Sequence, residues 1–246
     1  MKIRIKFSKQ GVMKFIGHLD IMRYFQKAIR RADIDIVYSE GFSPHMIMSF
    51  AAPLGVGLTS NGEYMDIEVK GSLSSREAIA RLNAVMADGI EILSWRQVPE
   101  GKAGKAMSLV AAADYTVTVP RGIFPENMEK DASEMLESFM GQKEITIIKK
   151  SKKSEKEADI KPMIYRFELL PEDKGREEGL QFKMQLATGS SANLKPELVM
   201  EAFAAFARFE LPPFAIRVNR DEVYADTGAE GCRNLVSLEE LGDEVG

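Results

Sequence analysis

Residues 2–7, Lys-Ile-Arg-Ile-Lys-Phe, alternate charged and apolar side chains without a break. That is the period of a strand with one face buried and the other in water. Residues 17–32 change period. Met22, Phe25, Ile29 and Ala32 fall on one helical face, and Arg23, Lys27 and Arg30 on another, which predicts an amphipathic helix. Asp20 sits in its first turn, where the helix dipole favours negative charge. Residues 34–38 and 46–51 read as strands around the turn Gly41-Phe42-Ser43-Pro44-His45, and residues 63–69 alternate again. Ser74 and Glu77 form a capping-box signature ahead of a helix carrying Ile79, Leu82 and Met86, and residues 90–98 read as a strand. The order is β-α-β-β-α-β, with or without one additional strand, which is the ferredoxin-like pattern.

A stretch rich in glycine and charge, residues 100–105, reads as a linker, and residues 106–113 as a short helix. The pattern then repeats in outline. Residues 115–119 are a predicted strand. Pro125 suits the first turn of a helix with Met128, Ala132, Met135 and Phe139 on one face. Residues 144–149, 161–170, 180–187 and 215–224 are predicted strands, and Pro196 opens a helix carrying Val199, Phe203 and Phe206. The charged run 149–157 is expected to be a mobile hairpin loop. Phe203, Phe206, Phe209 and Phe214 read as core aromatics. The expected fold class is α+β: two ferredoxin-like (βαββαβ-type) domains with antiparallel sheets, over residues 1–100 and 106–226. Residues 227–246 follow as a loose tail, of which 235–241 could dock as a short helix.

Charge sharpens this picture at the N-terminus. The whole chain carries a formal charge of −4, so it is not a uniformly basic nucleic-acid binder. Yet residues 1–31 hold Lys2, Arg4, Lys6, Lys9, Lys14, Arg23, Lys27, Arg30 and Arg31 against Asp20 alone. Such asymmetry marks either an anion-facing surface or a solvated face balanced elsewhere. The single cysteine, Cys232, forms no intrachain disulfide and cannot hold an iron–sulfur cluster. Two histidines and a distant cysteine make a poor zinc set, so no metal and no cofactor are expected. The N-terminus is not a signal peptide. The apolar run at 46–58 is broken by Ser49, Pro53 and two glycines, so no membrane segment is expected and the expected compartment is the cytoplasm.

Candidate chemistry concentrates where both histidines lie, in Phe15-Ile16-Gly17-His18-Leu19-Asp20 and Gly41-Phe42-Ser43-Pro44-His45. His18 at a helix start is a capping residue, an anion contact or a general base. Gly41 permits positive φ, and Pro44 restricts both itself and Ser43, so the loop aims Ser43 and His45 in a preset direction. Tyr38, Ser39 and Glu40 add hydrogen-bonding capacity. No G-x-S-x-G elbow surrounds Ser43, and Gly55-Val56-Gly57 lacks the third glycine of a nucleotide fingerprint. The expected binding set is His18, Asp20, Arg23, Tyr38, Ser39, Gly41, Phe42, Ser43, Pro44 and His45. It requires the two imidazoles to open onto one cavity.

Residues 6–69 carry Phe7-Ser8-Lys9, the His18 motif, Arg23, Tyr38 through His45, Ser49-Phe50-Ala51, Pro53 through Gly57, and Glu63-Tyr64-Met65-Asp66-Ile67. In these motifs the chain resembles the radical-SAM-linked proteins of bacteria, catalogued as a domain of unknown function. One departure is that Met46 and Ile47 stand where the family often has proline and a basic residue. The resemblance implies an accessory or substrate-presenting protein, encoded beside or fused to a radical-SAM enzyme and often near a ribonuclease of the E/G type. The implied partner is that enzyme, in RNA- or ribosome-related modification, with no catalysis required of this chain. A second likeness is to the repeat-associated RNA-processing proteins of CRISPR systems. It keeps open the alternative of an RNA-binding or RNA-cleaving protein using His18 and His45.

Overall fold

The computed structural model describes residues 1–246 apart from 72, 102–103, 151–154, 172–178 and 230. The protein is mixed α+β, with a large, mostly antiparallel sheet and few helices. The elements through the first half are β1 (Lys2–Lys9), α1 (His18–Arg31), β2 (Met48–Phe50), β3 (Thr59–Glu68), α2 (Ser75–Asn83), β4 (Ile90–Gln97) and α3 (Ala106–Leu109). Next come β5 (Val110–Val119), α4 (Ala132–Met140), β6 (Thr146–Lys150), β7 (Glu155–Asp159), β8 (Ile164–Leu169) and β9 (Leu180–Ala187). The chain closes with α5 (Pro196–Ala207), β10 (Arg217–Asp226), β11 (Leu235–Ser237) and β12 (Asp243–Glu244). Contacts divide it into two units, Met1–Ala112 with Arg220–Gly246, and Ala113–Asn219. That division differs from the boundaries expected at residues 100 and 226.

In the first unit β1 lies between β3 and β4, antiparallel to both, with Ile5 opposite Met65 and Trp95. β2 is antiparallel to β3, Phe50 opposite Met65, so the order is β4-β1-β3, with both β2 and β10 paired to β3. Residues 34–38 form isolated bridges rather than a strand: Ile36 with Val69 and Tyr38 with Met46. The capping box is half made. Ser74 Oγ accepts from the Glu77 amide at 3.2 Å, while the Glu77 carboxylate accepts from Arg81 at 2.6 Å. Ile3, Ile5 and Phe7 join Phe25, Ile29, Met65, Leu82 and Trp95 in one apolar core.

The opposite face of β1 is buried too, against the expectation of a solvated basic face. Arg4 is 1% exposed. Its Nε and Nη2 donate to the two Asp66 oxygens at 2.9 and 3.2 Å, Nη1 to the Leu238 carbonyl at 3.0 Å, and Nη2 to the Gly104 carbonyl at 2.9 Å. Asp66 also accepts from the Ala106 amide at 2.8 Å and lies 3.4 Å from Lys2 Nζ. Lys6 Nζ donates to Glu222 at 2.7 Å and Glu239 at 2.6 Å, and the Tyr64 hydroxyl donates to Glu222 at 2.7 Å. Four of the nine N-terminal cations are thus consumed internally or buried, since Lys9 is 3% exposed as well.

The covering segment is the expected tail. β11 pairs with β10, Val236 opposite Ala225, and β12 pairs with β4, Asp243 opposite Gln97. Between them Leu238 is fully buried. The Ser75 amide donates to the Val245 carbonyl, and the Val245 amide donates to Ser75 Oγ, both at 2.8 Å. β11 pairs with the neighbouring β10, whereas β12 and Val245 reach partners more than a hundred residues away in β4 and at Ser75, a pairing that glycines and acids in the segment do not signal.

In the second unit β9 pairs with β5 and, antiparallel, with β8. Residues 106–113 are helical only through Leu109; Ala112 and Ala113 continue as strand because both faces of β5 are buried, and burial overrides alanine's helix preference. Pro125 precedes a 3-10 turn, and the α-helix starts only at Ala132. Residues 161–163 are likewise a 3-10 turn before β8. Of the charged run, residues 151–154 lie outside those described, while β6 and β7 pair on either side. Residues 102–103 of the expected linker are also outside. Phe139, Phe167, Phe182 and Phe203 stack edge-on or tilted in the core. Phe214 does not join them; it is fully exposed at a positive φ of 60°.

Two outcomes follow for the first unit. Leu238→Ala is expected to cost about 2–4 kcal/mol, read as a lower urea midpoint; a loss within error of zero would mean that the C-terminal segment is not part of the core. The second outcome concerns alkaline pH. Burial pulls the Lys6 ammonium down, but its hydrogen bonds and charge contacts with Glu222 and Glu239 outweigh burial and hold it above the ordinary 10.5. Burial first, then the Glu222 charge, push the Tyr64 phenol above its ordinary 10.0. Folding therefore favours the protonated form of both groups. Their contribution is complete below the unfolded values and is lost as pH rises through the folded ones. Ultraviolet titration should show Tyr64 ionising only as the protein unfolds, and Glu239→Gln should move the alkaline midpoint down. An unmoved midpoint contradicts the coupling.

Candidate functional site

The first histidine motif folds into a wall of a cleft. Gly17 is the N-cap of α1 and offers no side-chain cap. The amides of Asp20 and Ile21 both donate to its carbonyl, at 3.1 and 3.0 Å. His18 and Leu19 therefore present helix-start amides without an intrahelical acceptor. The His18 ring stands edge-on to Phe50 at 5.3 Å, and Phe50 in turn meets Phe7 and Phe25. His18, Phe7, Lys9, Ile21, Phe50, Pro53, Leu54 and Glu63 line a narrow open cleft with room for about one water molecule. Asp20 and Arg23 lie outside it. They form an exposed ion pair at 3.3 Å, a kind of contact that contributes little to stability.

Two charged groups, Lys9 and Glu63, line the cleft, and Arg220 holds Glu63. Lys9 Nζ donates to the Ile16 carbonyl at 2.8 Å, which ties β1 to the motif. Arg220 grips both Glu63 oxygens, at 2.8 and 2.5 Å, and donates to the Ala52 carbonyl at 2.6 Å. Burial lowers the Lys9 ammonium from its ordinary value; the Glu63 charge opposes this and the Arg220 charge adds to it. Sequence reasoning missed Lys9, Glu63 and Arg220. For Lys9 a signal existed: it falls on the same strand face as Ile3, Ile5 and Phe7, where an ionisable residue breaks the apolar set. Glu63 and Arg220 are 157 residues apart and carried no such mark.

The second motif is a separate surface loop. Tyr38 bridges Met46, the Ser39 amide donates to the His45 carbonyl at 2.8 Å, and the His45 amide donates to Ser39 Oγ at 3.1 Å. Ser39 Oγ also lies 2.8 Å from His45 Nδ1. Gly41 adopts φ 109°, the left-handed turn that glycine permits. Glu40, Ser43 and Pro44 are exposed, and Phe42 is wholly in solvent. His45 precedes Phe50 by five residues of mostly extended chain, roughly 16 Å at ~3.3 Å per residue. His18 touches Phe50, so the imidazoles lie toward opposite ends of β2. His45 does not line the cleft, and the common cavity expected of the two rings is replaced by a cleft and a loop.

A family described as an uncharacterized protein conserved in bacteria (DUF2344) matches residues 2–196. The chain belongs to that bacterial family. Both motifs, Lys9 and Glu63 fall within the matched segment, and Arg220 lies beyond it. No curated protein matches the chain. Among the described residues no three His, Cys, Asp or Glu side chains converge as a metal site. No helix among them is long and apolar enough to cross a membrane.

The loop geometry has a direct test. Ser39→Ala removes both side-chain contacts to His45, so amide exchange at His45 should accelerate by about tenfold, the order of one hydrogen bond, with the thermal midpoint unchanged. Unaltered exchange would mean that Ser39 does not hold the loop.

Proposed function

We propose that this protein is a non-catalytic cytoplasmic partner of a bacterial radical-SAM enzyme, docking through the surface built from residues 12–23 and 56. The observation that carries the reading is a group of large apolar side chains left in water on the motif itself. Val12 is 74% exposed, Phe15 64%, Leu19 61% and Val56 62%. The Gly57 amide donates to the Lys14 carbonyl at 2.8 Å, which fastens Val56 beside this segment. Grouped apolar side chains on a surface favour a protein partner. The motif resemblance supplies the partner's identity. With one cysteine in 246 residues, an iron–sulfur cluster would have to be held outside this chain.

The remaining members of the binding set extend the same reading. Asp20 and Arg23 flank the apolar group, and Tyr38, Ser39, Gly41, Ser43, Pro44 and His45 present Phe42 as a second contact. Both units are read as ferredoxin-like; for the first, the reading is supported by β1 lying between β3 and β4 with β2 paired to β3. For the RNA alternative, Arg23, Lys27 and Arg30 form an exposed row on α1, whereas Lys2, Arg4 and Lys9 are buried.

Pull-down of the neighbouring radical-SAM enzyme is expected to fall at least about tenfold for Phe15→Ser with Leu19→Ser, the order of one interface hot spot. Ile148→Ser, an exposed site in the second unit, should leave it unchanged. Equal capture by both variants would exclude this surface. A gel shift with RNA that weakens steeply with salt would favour the alternative.

A further inference from the structure

We infer that the apolar surface around Phe15 and Leu19 takes an acidic protein face, apolar at its centre and flanked by a row of carboxylates that meets Arg23, Lys27 and Arg30 on α1. The inference rests on the partner reading above and names the chemistry of the surface that docks there.

The apolar end is fixed at the start of α1. Val56 Cγ2 lies 3.9 Å from the point where a side chain on Gly17 would begin, so Val56 closes over the helix start and stays exposed beside it. Phe15 and Leu19 are four residues apart on either side of Gly17, and both are exposed. The Lys14 ammonium stands 5.1 Å from the centroid of the Phe15 ring, which brings positive charge to the border of the apolar group.

α1 carries the charge onward. Leu19, Arg23, Lys27 and Arg30 recur at four- and three-residue spacing and are all exposed, which places them on one helical face. The row is roughly 16 Å long at ~1.5 Å per residue. Asp20 is the helix's own acid, and it is spent on Arg23 at 3.3 Å. The Lys27 and Arg30 side chains have no ion pair or hydrogen bond among the described residues. Past the helix Asp33 and Asp35 are exposed, and Asp35 pairs with Lys70 at 3.7 Å. On β1, by contrast, Arg4 and Lys6 are met by carboxylates from this same chain.

A solvated basic face accounts for the cations but not for the large apolar side chains from which the row departs. An interface accounts for both, because apolar contacts fill its centre and complementary charges lie at its rim. The row is open to a phosphate backbone as well. Val12, Leu19 and Val56, however, offer no aromatic face on which a base stacks, and a chain of net charge −4 resists a polyanion as a whole. Apolar and acidic side chains together are the chemistry of a protein partner.

The test measures binding of the neighbouring radical-SAM enzyme to the full chain. Lys27→Glu with Arg30→Glu should weaken binding at least about tenfold, the consequence of setting like charges across an interface. Lys27→Gln with Arg30→Gln should give a smaller loss in the same direction, and it carries the comparison if the first variant fails to fold. Lys143→Glu with Lys195→Glu, at exposed positions of the second unit, makes the same change in net charge and should leave binding unchanged. Raising salt from about 0.05 M to about 0.5 M should weaken the wild-type complex about tenfold by screening, and the complex of the Lys27 and Arg30 variant much less. Failure of the wild-type chain to bind the enzyme overturns the partner reading and this inference with it. Binding that Phe15→Ser with Leu19→Ser abolishes, but that charge reversal on α1 leaves undiminished, overturns the acidic face alone. Equal loss in the second-unit variant overturns it too, since the effect would then follow net charge and not the row. Polyuridylate is titrated in parallel: RNA binding lost on reversal, with enzyme binding intact, assigns the row to RNA and overturns the inference.

Discussion

The Arg4–Asp66 pair, buried on the side of β1 away from α1 and α2, is the contact around which the first unit closes. A guanidinium taken out of water costs several kcal/mol unless its donors are satisfied. Here they are met by Asp66 and by the Gly104 and Leu238 carbonyls. Each acceptor belongs to a different part of the chain, so the pair is complete only when β3, the segment after β4 and the C-terminal segment are all in place. The same logic governs Lys6, whose two carboxylates come from β10 and the residues after β11. Charge satisfaction, together with burial of Leu238, draws residues 220–246 back to the N-terminal strands.

β1 then carries two kinds of polar chemistry on its two faces. On the face away from α1, Arg4 and Lys6 are met by carboxylates and carbonyls, while Lys2 Nζ stands 3.4 Å from Asp66 without a hydrogen bond. On the face toward α1, apolar Ile3, Ile5 and Phe7 give way to Lys9 at the end of the strand, whose ammonium donates to the Ile16 carbonyl. Arg220 links the two, since its carbonyl accepts from Ser60 Oγ at 2.9 Å while its side chain holds Glu63 at the cleft. The returning segment that closes the fold also shapes the candidate site.

The division of the two motifs follows from helix geometry. Within residues 15–20, Phe15 and Leu19 point to solvent, His18 turns into the cleft, and Ile16 offers its carbonyl to Lys9. One short sequence thus serves an outer surface and an inner wall. The second motif gains its shape from Ser39 and His45 closing a turn around Gly41, a local device with its own hydrogen bonds. Its distance from His18 comes from the extended run of 46–50, which a linear pattern cannot convert into a separation.

Local periodicity by itself placed the strand read at 2–7, the helix at 17–32, the strands at 90–98 and 180–187 and the helix opened by Pro196, and glycine's lack of a side chain marked the turn at Gly41. These depend on neighbours within a few residues, and side-chain spacing encodes them directly. Only the tertiary structure decided which face of β1 is wet, that 227–246 is structured, and that Lys9, Glu63 and Arg220 meet beside His18. Those outcomes depend on where opposite charges come to rest. A lysine looks the same in sequence whether water or a carboxylate more than two hundred residues away accepts its hydrogen bond.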